Sequence, residues 1–274
     1  METKRKKIVW LLLCILIISM FSTGCGVAQE SKIKVVSSTK ADFSMSIGLD
    51  DEALEEYASL LDISCKEFIS RMKENGSAYS TRTISGVKYN MFTDTQKGMK
   101  LSEVEDVLEE LGYDKVCVTK DFFYARYIAQ KGSLEDMLVD DSGLTQKQIK
   151  QLENMKYIQI FSIQLNKRIK STNGKIDRSN TKLVKWTYAS SDKSKTFFAT
   201  TSPSKTTAMT RSVQNNKSYK TSVKIAVQHS FNLVKMTLDG KSIKNGSVVK
   251  QKGRHELVIW SKDGKCQVVK FTIK

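Results

Sequence analysis

The sequence predicts two unlike parts: an α+β N-terminal domain and an all-β sandwich at the C-terminus. Three observations carry this. Between residues 33 and 201, apolar strands of period two are interleaved with amphipathic helices that open on capping patterns. The single proline of the chain, Pro203, lies in a Ser/Thr-rich stretch just beyond. After it no helical periodicity remains, and turn dipeptides separate short apolar runs. The chain has 274 residues, 40% of them hydrophobic, which is enough for real cores and argues against disorder.

The chain opens with Lys4-Arg5-Lys6-Lys7, an apolar run from Ile8 to Ile18, and small residues ending on Gly24-Cys25. A basic n-region, an apolar h-region and small residues before a cleavage point read as a secretory signal over residues 1–24. The stretch ending at Cys25 resembles a bacterial lipobox, with Ser22 where leucine is usual. The resemblance implies fatty acylation of Cys25 as the first mature residue and anchoring to the extracytoplasmic face of the cell membrane. The alternative is an uncleaved N-terminal anchor with Cys25 a bystander. No later run approaches the ~18 apolar residues of a spanning helix. Residues 25–32 read as a short polar tether.

Residues 33–201 then alternate. Ile33 and Val35, followed by Phe43, Met45, Ile47 and Leu49, predict two strands. Asp50-Asp51-Glu52 opens a helix with Leu54, Tyr57, Ala58 and Leu61 inward, where the dipole favours the acidic residues. Ser64-x-x-Glu67 is a capping box for a second helix, ended by Asn75-Gly76. Tyr79–Ile84 and Val87–Thr93 predict a hairpin turning at Ser85-Gly86. Ser102-x-x-Glu105 predicts a third helix, stopped by Gly112. Strands follow at Val116–Thr119 and Phe122–Ile128, a further helix at Thr145–Met155, and an alternating strand at Tyr157–Leu165. Asn173-Gly174 predicts a tight turn with positive φ, and Leu183–Tyr188 and Thr196–Thr201 complete the part as strands.

Four pieces of this part resemble the LppM-like domain of bacterial lipoproteins. They are Phe161-Ser162-Ile163-Gln164-Leu165, Ser171-Thr172-Asn173-Gly174-Lys175, the strand ending Val184-Lys185-Trp186, and Phe197-Phe198-Ala199-Thr200. The resemblance covers roughly residues 26–201. Asn166 and Lys167 stand where the family often has proline, and the family's frequent C-terminal membrane helix has no counterpart. It implies a curved sheet with several helices, able to cup an apolar ligand, and no catalysis.

Residues 202–210 read as a linker that few contacts should cross. Beyond it, Val223–Val227, Leu233–Leu238, Glu256–Trp260 and Cys266–Ile273 read as strands, with turns at Asp239-Gly240, Asn245-Gly246 and Asp263-Gly264. Turns at this spacing predict a sandwich over residues 211–274. The runs Val213–Tyr219, Leu238–Lys241, Gly253–Leu257 and Phe271–Ile273 resemble the small Ig-like modules of Gram-positive surface proteins.

Charge is polarised. Residues 25–140 carry 14 basic against 21 acidic side chains, whereas residues 203–274 carry 15 against 3. A strongly basic distal part suggests a polyanionic neighbour. In an exported protein that means wall polymer, anionic lipid or surface glycan, with nucleic acid not expected. Lys241, Lys244, Lys250, Lys252 and Arg254 cluster around consecutive turns and are the candidate contacts. A lysine-rich surface kept for solubility is the competing explanation.

Chemistry is sparsely signalled. No nucleophile elbow, P-loop, HExxH or GxGxxG pattern occurs, so no catalytic residue and no cofactor is assigned. His229-Ser230 is the nearest approach to a catalytic pair, but neighbours on a strand face opposite sides. His255 reads as a satisfied surface histidine. Glu55-Glu56 and Glu109-Glu110 read as solvated helix faces, and Trp186 and Trp260 as core. Cys65, Cys117 and Cys266 read as small buried residues, Cys65–Cys117 being the one disulfide within a single part. Neither histidine stands near a cysteine at ligand spacing, so no metal is expected. Three readings follow: a lipid-anchored lipoprotein binding an apolar ligand or partner protein; an adhesive or wall-associated protein docking through its basic Ig-like module; and an enzyme of unrecognised type.

Overall fold

The computed structural model describes residues 26–128, 158–189 and 194–274. Cys25 and the helix expected at Thr145–Met155 lie outside the described residues. What is described is a mixed α/β chain, mostly strand, with three α-helices and several sheets.

β1 (Val27–Val35) starts where a tether was expected. The polar look of Gln29-Glu30-Ser31 conceals a sheet position: Ser31 is buried, and Glu30 is ion-paired to Arg82. β2 (Lys40–Leu49) returns antiparallel and buries Ala41, Phe43, Met45, Ile47 and Leu49. α1 (Asp51–Leu60) is capped by Asp50, whose Oδ1 accepts from the Ala53 amide at 2.8 Å. α2 (Cys65–Glu74) is capped by Ser64 as the sequence predicts and ends at Asn75, with Gly76 at φ 94°. Both helices cover one half of the sheet face, where Phe68 meets Tyr57 and Phe92 edge-on at 5.0 and 5.5 Å.

β3 (Ala78–Ile84) and β4 (Val87–Lys100) form the expected hairpin, with Ser85 and Gly86 both at positive φ as a type I′ turn requires. α3 (Leu101–Glu110) begins two residues before the position expected, with Lys100 rather than Ser102 at the N-cap. Its Glu103, not Glu105, closes the cap, accepting from the Lys100 amide at 2.9 Å. Glu105 instead accepts from the Val118 amide at 2.8 Å in β5 (Tyr113–Val118). β6 (Phe122–Ile128), β7 (Ile158–Gln164), β8 (Ser171–Thr172), β9 (Lys175–Ile176), β10 (Leu183–Ala189) and β11 (Ser194–Thr200) complete this part. They make a seven-stranded sheet, β3-β4-β2-β1-β7-β10-β9, facing a four-stranded sheet, β5-β6-β11-β8.

The space between these sheets is filled by the chain itself. Phe161, 0% exposed, stacks on Phe123 at 5.2 Å and Phe197 at 5.7 Å, with Trp186 edge-on to Phe197 at 5.5 Å. Asn173-Gly174 lacks the positive φ expected of it and links β8 and β9, which belong to different sheets. Asn173 stitches them together: its Oδ1 accepts from Trp186 Nε1 at 2.9 Å and the Phe198 amide at 3.0 Å. Gly174 is needed for space rather than for positive φ. A Cβ there would lie 2.5 Å from Trp186 Nε1 and 2.6 Å from Val184 Cγ2.

The C-terminal part holds β12 (Met209–Thr210), β13 (Lys217–Tyr219), β14 (Val223–Lys224), β15 (Val227–Gln228), a 3-10 turn at Ser230–Asn232, β16 (Leu233–Leu238), β17 (Lys241–Ser242), β18 (Val248–Val249), β19 (Gly253–Ser261) and β20 (Cys266–Ile273). The main sheet runs β13-β20-β19-β16-β17, beside the pairs β12-β15 and β14-β18. Ile225, Met236, Leu257, Ile259, Val269 and Phe271 form its core. The two-residue turn is Asp239-Gly240, both at positive φ. At Asp263-Gly264 the Ser261 amide bonds to the Lys265 carbonyl, so the loop has an extra residue.

Side chains of the two parts meet across residues 202–210, where few contacts were expected. The four-stranded sheet gives its outer face, with Cys117, Phe122, Tyr124 and Phe198, to Val258, Trp260, Val268 and Val234 of the C-terminal sheet. Lys115–Glu256 (2.5 Å) and Lys235–Glu105 (2.6 Å) flank this apolar contact. The linker is itself bonded: the Ala208 amide donates to Ser261 Oγ at 2.9 Å, and Asn232 Nδ2 to the Thr206 carbonyl at 2.9 Å.

Candidate functional site

The five candidate cations are all exposed. Lys241 lies on the edge strand β17, Arg254 is the second residue of β19, and Lys250 and Lys252 lead into it. Asp239 and His255 hold these segments together. The Asp239 carboxylate accepts from the Glu256 amide at 2.8 Å through Oδ1 and faces His255 Nδ1 at 2.8 Å through Oδ2. His255 Nε2 faces the Gln251 carbonyl at 2.7 Å. One buried ring therefore ties the β16–β17 turn, the 250–252 segment and β19 at one end of the sheet. Lys244 stands on the neighbouring turn, closed by its amide on Ser247 Oγ at 3.2 Å.

His255 is 5% exposed, so it is not the surface residue expected. Both of its ring nitrogens face acceptors, which the doubly protonated ring satisfies best. Burial alone would lower its pKa, but the bonds to Asp239 and the Gln251 carbonyl outweigh burial and raise it.

Most cations of the C-terminal part have no acidic partner among the described residues, and exposed Lys205, Arg211, Lys217, Lys220 and Lys224 share this with the five candidates. Residues 203–274 have only three acidic side chains, and each is committed elsewhere. Glu256 pairs with Lys115 and Lys270, Asp263 with Lys265, and Asp239 with His255. Among the described residues, none of Lys241, Lys244, Lys250, Lys252 and Arg254 has an ion-pair partner within 4.0 Å. Asp239, Gln251 and His255 were missed as organisers. The Asp-Gly turn signal located Asp239, but nothing local couples it to a residue sixteen positions away.

The remaining candidates have other placements. His229 is left-handed (φ 51°) and Ser230 opens the 3-10 turn, so the pair is not on a strand at all. Glu55, Glu109 and Glu110 are exposed and Glu56 half-buried on their helices. Trp186 and Trp260 are buried in cores. The three cysteines described are free, with Cys65 beside the α1–α2 core and Cys117 in the contact between the two parts, so they are not paired. Burial raises the Cys117 thiol well above its ordinary pKa and pushes Cys266 up to about 12, leaving both poor nucleophiles. Among the described residues no group of three or more His, Cys, Asp or Glu could hold a metal, and no helix is long and apolar enough to cross a membrane.

The chain is thus a strand-rich α/β protein with several exposed cations, unpaired among the described residues, at one end of its C-terminal sheet. No family model and no curated protein matches the sequence. Among solved structures, the chain is similar to the NMR structure of the folded domain of the Mycobacterium tuberculosis LppM protein. The identity is 10% and the TM-score 0.35, over 65% of this chain and 91% of that one.

Proposed function

We propose that this chain is a non-catalytic lipoprotein of the bacterial envelope, acylated at Cys25 on the extracytoplasmic side, whose C-terminal Ig-like sandwich docks on an anionic envelope polymer. The observation that carries the docking is the excess of exposed cations without carboxylate partners among the described residues, with Lys241, Lys244, Lys250, Lys252 and Arg254 among them. Four of these five are gathered at one sheet end by Asp239 and His255. The alternative, an apolar ligand cupped between the two N-terminal sheets, is less favoured. Phe123, Phe161, Trp186 and Phe197 occupy that space.

Each exposed charge contact is worth only ~0–1 kcal/mol. Binding must sum several and collapse as the Debye length shortens to roughly 3 Å at 1 M salt. Residues 26–274 should sediment with a phosphate-rich wall polymer at low ionic strength and release at high salt. The quadruple change K241Q/K244Q/K250Q/K252Q should abolish sedimentation while leaving the melting temperature unchanged. No sedimentation of the wild-type chain at low salt would refute the docking. Fatty-acid labelling that persists in Cys25→Ala cells would refute the anchor.

A further inference from the structure

We infer that the end of the seven-stranded sheet bearing Gly26 is the face the protein applies to the bilayer, with the β3–β4 hairpin tip touching the lipid interface. The inference rests on acylation of Cys25 and adds an orientation to it.

The junction has no slack. Cys25 is one peptide unit, about 3.8 Å, from Gly26. Gly26 is already fixed: its amide donates to Asp50 Oδ2 at 2.7 Å, and its carbonyl accepts from the Asp50 amide at 3.1 Å. A Cβ at this position would collide with the Asp50 carboxylate. A flexible linker of n residues would give the body roughly 5–6 Å × √n of freedom, whereas here β1 begins two residues after Cys25.

Strand register shows what else lies at that end. Val27 pairs with Leu49, and Leu49 with Asn90, so these three are level across the sheet. From Asn90, β4 runs three residues further to Val87, about 10 Å at ~3.4 Å per residue. That is the direction in which the chain leaves Val27 towards Cys25. The tip carries Val87, 42% exposed, and an exposed Lys88 lying 3.9 Å from Asp51. An apolar side chain beside a lysine able to snorkel suits the water–lipid boundary. With Asp51 beside Lys88, this contact does not need anionic lipid. The β1–β2 turn at the opposite end, roughly 30 Å away over nine residues of β1, exposes Val36 to a similar extent, 46%. The two valines form a matched pair on opposite ends of one sheet.

The test uses residues 25–274, with a lipid thioester ligated to the N-terminal aminothiol of Cys25 and the product inserted in phosphatidylcholine vesicles containing interfacial spin-labelled lipid. Val87→Trp and Val36→Trp are compared against the background of buried Trp186 and Trp260. Quenching should be several-fold greater for Val87→Trp and insensitive to salt. Equal quenching, the reverse order, or none at either position overturns the inference. Should either variant fold poorly, Lys88→Trp and Lys40→Trp repeat the comparison from the same two ends. Because the lipid is attached chemically, failure here is separate from failure of acylation in cells, which the Cys25→Ala labelling reads.

Discussion

Trp260 donates its indole N–H to the Lys115 carbonyl at 2.9 Å, joining residues 145 positions apart across the contact between the two parts. Lys115 is left-handed (φ 52°), at the bulge that shifts the β5–β6 register between Asp114 and Cys117. A bulge re-aims the backbone of its strand, and here a carbonyl beside it meets an indole. The same residue pairs through Nζ with Glu256, while Lys235 lies over the Trp260 ring at 5.7 Å.

Breaking this contact should therefore cost global stability. Trp260→Ala should lose about 3–5 kcal/mol, the range for removing a buried aromatic. Trp260→Phe should lose about 1–3 kcal/mol, because the Lys115 carbonyl loses a buried donor. Chemical denaturation of residues 26–274 should show one cooperative transition for the wild-type chain. Two resolved transitions would mean that the two parts do not stabilise each other.

Two glycines make opposite demands. Gly174→Ala should cost about 1–3 kcal/mol by overpacking, since its Cβ would press on Trp186 and Val184. Gly86→Ala has open space around it but φ 87°, and should cost about 1–2 kcal/mol from the left-handed backbone alone. Near-ultraviolet circular dichroism of the tryptophans distinguishes them: Gly174→Ala should change it and Gly86→Ala should not.

Stability should also depend on pH through His255. Burial opposes its charge, but the Asp239 carboxylate and the Gln251 carbonyl prevail and raise its pKa above 6.5. The Phe271 ring lies 5.3 Å from it. A folded pKa above the unfolded one means stabilisation that is complete below about pH 6.5 and lost as pH rises through the folded value. The urea midpoint should fall across that window, and His255→Gln should remove this component of the fall. Asp239→Asn should lower the His255 pKa measured by NMR. An unchanged value would show that Asp239 does not hold the charged ring.

The fold was legible where signals are local. The Asp50 and Ser64 caps, the Ser85-Gly86 turn and the alternation of β2 and β7 follow from neighbours within a few positions. Sequence failed where a residue answers to a distant partner. Gln29-Glu30-Ser31 reads as tether until Arg82 and the core are in view. Asn173-Gly174 reads as a tight turn with positive φ until Trp186 and Phe198 claim the asparagine oxygen. The linker reads as open because its bonds to Ser261 and Asn232 are made with residues far along the chain. The candidate cations were found by composition alone, but not the buried histidine and aspartate that gather four of them.

The position of β1 has a mechanical consequence. It lies inside its sheet, antiparallel to β2 and parallel to β7, so it has a hydrogen-bonded neighbour on either side. A pull on Gly26 along the strand would load both ladders in shear, with many bonds sharing the force before any one yields. Pulling an edge strand sideways would instead open its bonds one at a time. A chain held at one end by lipid and at the other by a polymer would carry tension through its strongest direction.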